Sequence, residues 1–221
     1  MPDNLKVENL SKRYGSGSYV IEKLSATFKP GTATGLVGPN GSGKTTFLRL
    51  ISTTAFPTSG SVHYGEINIH KQPGRYLQHV GLVSDSTGLP EYLSAVELLS
   101  WILRSRDKWD SKSEDRIRSL LDAVSLDERR ENLIGTYSSG MVQKTLIAAS
   151  LIANPDIILL DEPFRALDED STARTLELLH SFRDNGGTIL ISSHIQASLD
   201  QLCEDYLTFP VSETVEQESN G

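Results

Sequence analysis

The chain has 221 residues, with 21 basic against 29 acidic side chains and a formal charge of −8, a balance that argues against a generic basic nucleic-acid coat protein. Hydrophobic residues at 38% and charged residues at 23% describe a globular chain, long enough to bury a large core without metal or disulfide staples. The single cysteine, Cys203, allows no internal disulfide and fits a reducing compartment. The start, Met1-Pro2-Asp3-Asn4, has no basic segment followed by an apolar one, so no signal peptide is expected. The most apolar region, 145–160, is broken by Asn154, Pro155 and Asp156, so the chain is not expected to cross a membrane by itself.

In chain order, 20–28 and 61–69 read as strands, with turns at Gly60 and Gly65. The apolar run 33–37 reads as a strand that ends in a glycine-rich loop, and 45–52 after it reads as a helix. Another short apolar run, 80–83, follows. From 94 the pattern becomes helical. Ser94-Ala95-Val96-Glu97 fits a capping box with Leu98, Leu99, Ile102 and Leu103 behind it, and Ser111-Lys112-Ser113-Glu114 fits a second, before Ile117, Leu120, Leu121 and Val124. Then come a helix over 145–153, a buried strand over 157–160, a helix over 174–182 and a buried strand over 188–192. Strands that alternate with helices imply right-handed crossovers and a parallel sheet. Residues 211–221, with Glu213, Glu216 and Glu218, read as a disordered acidic tail.

Three constellations carry chemistry. Gly38-Pro39-Asn40-Gly41-Ser42-Gly43-Lys44-Thr45 has the spacing G-x-x-x-x-G-K-[ST] between an apolar strand and a helix. Glycines there let backbone N–H groups converge on phosphate oxygens, and the helix start adds its positive dipole end. Lys44 is then placed to reach the β- and γ-phosphates and Thr45 to hold Mg²⁺. Second, the strand Ile157-Ile158-Leu159-Leu160 ends in Asp161-Glu162-Pro163. In a nucleotide-binding α/β sheet the carboxyl ends of strands face the ligand, so Asp161 suits Mg²⁺ and Glu162 suits the polarisation of a water. Third, His194 follows the buried strand 188–192, on the same edge, where its imidazole can bond a γ-phosphate oxygen.

Tyr137-Ser138-Ser139-Gly140-Met141-Val142-Gln143-Lys144, about one helix upstream of the acidic strand, resembles the signature motif of ABC transporter ATP-binding subunits, and Phe164-Arg165-Ala166-Leu167-Asp168 resembles their D-loop. With the phosphate loop and the helical insert, the resemblance runs from Leu5 to Phe209. It implies an α/β P-loop NTPase fold: a mostly parallel sheet with helices on both faces, an N-terminal antiparallel β subdomain and an inserted helical subdomain. The corresponding division is 1–86 and 137–210 for the ATP-binding core, 87–136 for the helical subdomain and 211–221 for the tail.

The resemblance implies further roles. Tyr14 matches the aromatic that stacks on adenine. Gly38, Pro39, Asn40, Gly41, Ser42, Gly43, Lys44 and Thr45 hold phosphates, and Thr46 touches the α-phosphate. Glu162 is the catalytic base, His194 the switch histidine, and Asp168 the residue linking two subunits. Ser138, Ser139 and Gly140 meet the ATP of the other subunit. The expected cofactors are ATP and Mg²⁺, and the expected assembly is a head-to-tail homodimer, or a heterodimer with a similar subunit, that sandwiches two ATP. A separate polytopic membrane subunit would hold it on the cytoplasmic face, docked near Leu89, Pro90, Tyr92 and Trp101; no nucleic acid is expected. The sequence departs from the pattern at Ser139 and Met141, a variant similar to exporter-type members, at the start of the D-loop, where Phe164-Arg165 replace small residues and bear on coupling between the two sites, and at the position where glutamine usually follows an apolar strand. There Asp85, or Ser84 by a slip of one, stands near Mg²⁺. Two other classes remain open: a soluble ABC-type ATPase working on ribosome or DNA, and an ATP-binding regulatory module with little turnover.

Overall fold

The computed structural model describes residues 2–84 and 88–211. Its elements alternate between strands and helices after an all-β start. In order they are β1 (Leu5–Arg13), β2 (Tyr19–Phe28), β3 (Ala33–Val37), α1 (Lys44–Ile51), β4 (Ser59–Tyr64), β5 (Ile67–Asn68), α2 (Pro73–Tyr76) and β6 (Val80–Val83). Then follow α3 (Ala95–Ser105), α4 (Ser113–Ala123), α5 (Ser139–Leu151), β7 (Ile157–Asp161), α6 (Glu169–Asp184), β8 (Thr188–Ser192), α7 (Gln196–Leu202) and β9 (Asp205–Thr208).

Two sheets result. One is antiparallel in the order β2-β1-β4-β5; the other has the order β6-β7-β8-β3-β9 and every pairing in it is parallel. The strands β3, β6, β7 and β8 are largely buried because both their faces are covered, whereas the edge strand β9 is mostly exposed. The two-residue period of a strand sorts the side chains. Ile158, Leu160, Ile189, Ile191 and Val83 join one core with the helical residues Leu99, Ile117, Leu121, Ile147 and Leu179. Ile157, Leu159, Leu190, Leu36 and Val80 join the other, with Phe47, Leu50 and Ile51 of α1 and Leu5, Val7, Ile21 and Val62 of the antiparallel sheet.

Several local expectations are corrected. β1 escapes a simple reading because its inward residues Leu5, Val7 and Leu10 change spacing from two to three. A bulge accounts for this: Asn9 takes φ 47°, its N–H donates to Ser25 Oγ at 2.9 Å, and the register against β2 shifts between Val7 and Leu10. Gly60 is no turn; it lies inside β4, opposite that bulge. The stretch 61–69 is two strands around a turn at Gly65.

The capping box at Ser94 forms, with Ser94 N–H donating to Glu97 Oε2 at 2.8 Å and Glu97 N–H to Ser94 Oγ at 3.2 Å. The second does not form. Asp110 opens α4 in its place: its Oδ1 accepts from Lys112 N–H at 2.9 Å and from Ser113 Oγ at 3.0 Å. Helices expected at 145–153 and 174–182 begin earlier, at Ser139 and Glu169, because their start is fixed by the caps Ser138 and Asp168 and not by an apolar stripe. The acidic tail from 212 onward lies outside the described residues.

Candidate functional site

β3, β7 and β8 are neighbours in the parallel sheet, with β8 between the other two. Their carboxyl ends therefore deliver the loop 38–43, the pair Asp161-Glu162 and His194 to one edge. A cleft of about 760 Å³ opens there. Asn40, Gly41, Gly43, Lys44, Thr45 and Thr46 line it from the loop and α1, and Asp161, Glu162 and His194 from the strand ends. Ser139 lines it as well, with Ser84, Gln143 and Arg165.

The loop wraps the lysine. Lys44 is buried, and its Nζ donates to the carbonyls of Gly38 at 2.6 Å and Pro39 at 3.1 Å. Gly38 has φ 144°, and a Cβ on it would lie 2.2 Å from the carbonyl oxygen of Phe209, so only glycine fits where β3 leaves the sheet. Gly43 caps α1 at φ 117° without a side-chain bond, which leaves the first-turn N–H groups directed at the cleft. Ser42 Oγ is buried without a hydrogen-bond partner among the described residues. A loop of backbone donors that holds an ammonium and carries an unpaired hydroxyl fits a polyphosphate.

The acidic pair is held in two ways. Ser192 Oγ donates to Asp161 Oδ1 at 2.5 Å, because the β7–β8 register puts Asp161 opposite Ser192. Glu162 leaves the strand at φ 52°, an uncommon backbone for a non-glycine residue that costs on the order of 1–3 kcal/mol. Its N–H donates to the Ser192 carbonyl at 3.0 Å. Its carboxylate accepts the His194 N–H on Oε2 at 3.2 Å, and Oε1 stands 3.3 Å from His194 Nε2. Glutamate and imidazole thus form one unit on the cleft wall. Among the described residues no three His, Cys, Asp or Glu side chains cluster as a metal site. A cation here would take the Thr45 hydroxyl, Asp161, phosphate oxygens and waters, a donor set of hard oxygens that suits Mg²⁺.

Tyr14, Ser138, Gly140 and Asp168 do not line this cleft. Gly38 and Pro39 serve it through the carbonyls that hold Lys44. Tyr14 sits in the turn after β1, 53% exposed, with Lys12 Nζ 4.8 Å from its ring centre. Ser138 is the N-cap of α5, its Oγ accepting from Met141 N–H at 3.3 Å; the hydroxyl proton stays available to an outside acceptor. Gly140 packs on the loop after β7, where a Cβ would lie 2.8 Å from the Ala166 carbonyl oxygen. Asp168 caps α6 by accepting from Ser171 N–H at 2.7 Å. Bonds from the Ser171 side chain and backbone hold its carboxyl below the usual aspartate range. Asp85 lies outside the described residues, whereas Ser84 lines the cleft.

Sequence reading missed Ser192 as part of the site, and it placed Arg165 in the D-loop without assigning it to this cleft. A polar residue closing an otherwise buried strand was the available signal for the first. An arginine three residues after the acidic pair was the signal for the second.

The sequence model described as ABC transporter matches residues 21–165. Linearmycin resistance ATP-binding protein LnrL of Bacillus subtilis (strain 168) is 30% identical over 90% of this chain and 64% of its own length. This chain therefore spans just under two thirds of that relative. ABC transporter ATP-binding protein NatA of the same organism is 31% identical over 96% of this chain and 87% of its own. Among solved structures, the dimeric post-hydrolysis state of the ATP-binding cassette MJ0796 bound to ADP and Pi matches with a TM-score of 0.81. It is 26% identical over 93% of this chain and 94% of that one.

Proposed function

The chain belongs to the ABC transporter family, and from that premise we propose that it binds and hydrolyses ATP to drive a cargo, outward, through a separate membrane subunit. The observation that carries the reading is the convergence of the phosphate loop, Asp161, Glu162 and His194 on one cleft. The loop amides and Lys44 hold the phosphate chain. Thr45 and Asp161 would hold Mg²⁺, which neutralises charge on the β- and γ-oxygens. Glu162 accepts the proton of a water lined up behind the γ-phosphorus, and the bond to the departing ADP breaks in line, which gives ADP and phosphate. His194, tied to Glu162, presents its ring to a γ-oxygen as charge builds there.

Ser138 and Gly140 stand at the start of α5 without lining this cleft, so a second subunit placed head to tail would bring them, with Ser139 between them, to the partner's ATP. Tyr14 would support the adenine ring and Asp168 the contact between the two sites. ATP then closes the pair and hydrolysis releases it, a shift driven by differential affinity for the closed state. The stretch 87–136 is the part that would pass this motion to the membrane subunit. Outward movement is favoured by the variant signature and by a relative named for resistance to linearmycin. The test is Glu162→Gln. The variant should retain ATP, accumulate as a dimer on a sizing column and lose steady-state phosphate release. Turnover at the rate of the unaltered protein would remove Glu162 as the base.

A further inference from the structure

Arg165 stands in the segment that resembles the D-loop. It is exposed and lines the cleft beside Asp161, Glu162 and His194. Among the described residues its side chain makes no hydrogen bond and no ion pair. The other exposed arginine on the cleft, Arg49, is accounted for differently: it lies in the last turn of α1, where a cation complements the helix dipole.

The backbone around Arg165 is unusually well fixed. Its N–H donates to the Glu162 carbonyl at 3.2 Å, and Leu167 N–H donates to the Phe164 carbonyl at 3.2 Å. Phe164 on one side is buried in the helical core. Ala166 on the other takes φ 62°, and its carbonyl lies against Gly140 at the start of α5. Two left-handed non-glycine residues, Glu162 and Ala166, bracket the segment. Strain of this kind persists only where surrounding contacts impose it, and it gathers at working sites. A long flexible side chain on a rigid root keeps its reach while its origin stays put. Guanidinium is also the side chain best shaped for phosphate oxygens, which it can grip with two parallel N–H donors.

We propose that Arg165 is a phosphate-contacting residue of this cleft, binding the terminal phosphate of the ATP that the same chain holds over Lys44 and Thr45. The proposal rests on the reading of the cleft as a nucleotide site. Lys44 sits deep in the loop, held by the Gly38 and Pro39 carbonyls, and covers the inner side of the phosphate chain. Arg165 lines the cleft with Glu162, the side on which that reading puts the third phosphate and on which a diphosphate would offer no oxygen. It therefore discriminates ATP from ADP.

The experiment is equilibrium binding of MgATP and MgADP to the full chain, at a concentration where light scattering reports a monomer. It compares the unaltered protein with Arg165→Ala and Arg165→Lys. Arg165→Ala should weaken MgATP about tenfold, the loss expected for one charge-assisted contact, and leave MgADP within twofold. Arg165→Lys should recover part of the loss. MgATP affinity within twofold of the unaltered protein in Arg165→Ala would overturn the proposal while the nucleotide reading stands. An equal loss for both nucleotides would overturn it too, since a cleft-wide defect does that. An unaltered protein that binds neither nucleotide would remove the reading itself, and the proposal with it.

Discussion

Glu162 shows how a single position can be placed by conflict with local preference. A glutamate in the left-handed region gains nothing locally. It is held there by the Ser192 carbonyl behind it and His194 in front. Lys44, Thr45, Asp161 and Glu162 were legible in the sequence because each sits at a fixed offset from an apolar strand. Ser192 was not, because its link to Asp161 spans 31 positions and exists only once β7 and β8 have paired in register. Its hydroxyl orients the carboxylate that would face Mg²⁺, so its removal should act on the ion before it acts on the nucleotide. Ser192→Ala should raise the Mg²⁺ concentration needed for half-maximal ATP hydrolysis by on the order of tenfold, as loss of an outer-shell partner does, with Mg²⁺-free nucleotide affinity unchanged. Titration of activity against Mg²⁺ reads this directly, and an unshifted curve would mean that Asp161 needs no such support.

At the scale of elements, the legible helices were those whose start and stripe agree. Ser94 and Glu97 cap α3 reciprocally, and the apolar residues behind them face the core. α5 gave no stripe to read, since its apolar residues run all round it, and α6 began earlier than its apolar residues suggested. Both are anchored by side-chain caps, Ser138 and Asp168. Asp168 makes this anchoring depend on pH. Its carboxyl is held below the usual aspartate range by the Ser171 side chain and then the Ser171 backbone. Folded Asp168 binds its proton less readily than unfolded, so its contribution is complete above the ordinary aspartate value near 4. That contribution is lost as pH falls through the depressed folded value. Asp168→Ala should thus lower the thermal midpoint at pH 7. The gap to the unaltered protein should narrow as melts are run below about pH 4. A gap of constant size down to pH 2 would show that the cap works without its charge.

For the molecule as a whole, the sheet order was the part the sequence could not supply. Alternating strands and helices announce a parallel sheet, but only the fold reveals that β3 lies between β8 and β9, which is what joins residues 38–45 to residues 161–194. The surface also shows what the ATP cleft alone would not. Tyr92 is 77% exposed and Trp101 63%, on a protein whose described residues include no helix long and apolar enough to cross a membrane. Both lie in the stretch 87–136, and Leu89 and Pro90, shortly before Tyr92 in sequence, are half-buried. Large aromatics left in water suit the apolar centre of a protein interface. If they meet the membrane subunit, gentle solubilisation of native membranes should recover the chain with a polytopic membrane protein in equal amount. Tyr92→Ala combined with Trp101→Ala should lose that partner, while the purified variant binds MgATP as before, because neither residue lines the cleft. Retention of the partner by the double variant would move the docking surface elsewhere. Recovery of ribosomes or DNA-repair proteins in its place would set aside the transport reading and keep the ATPase.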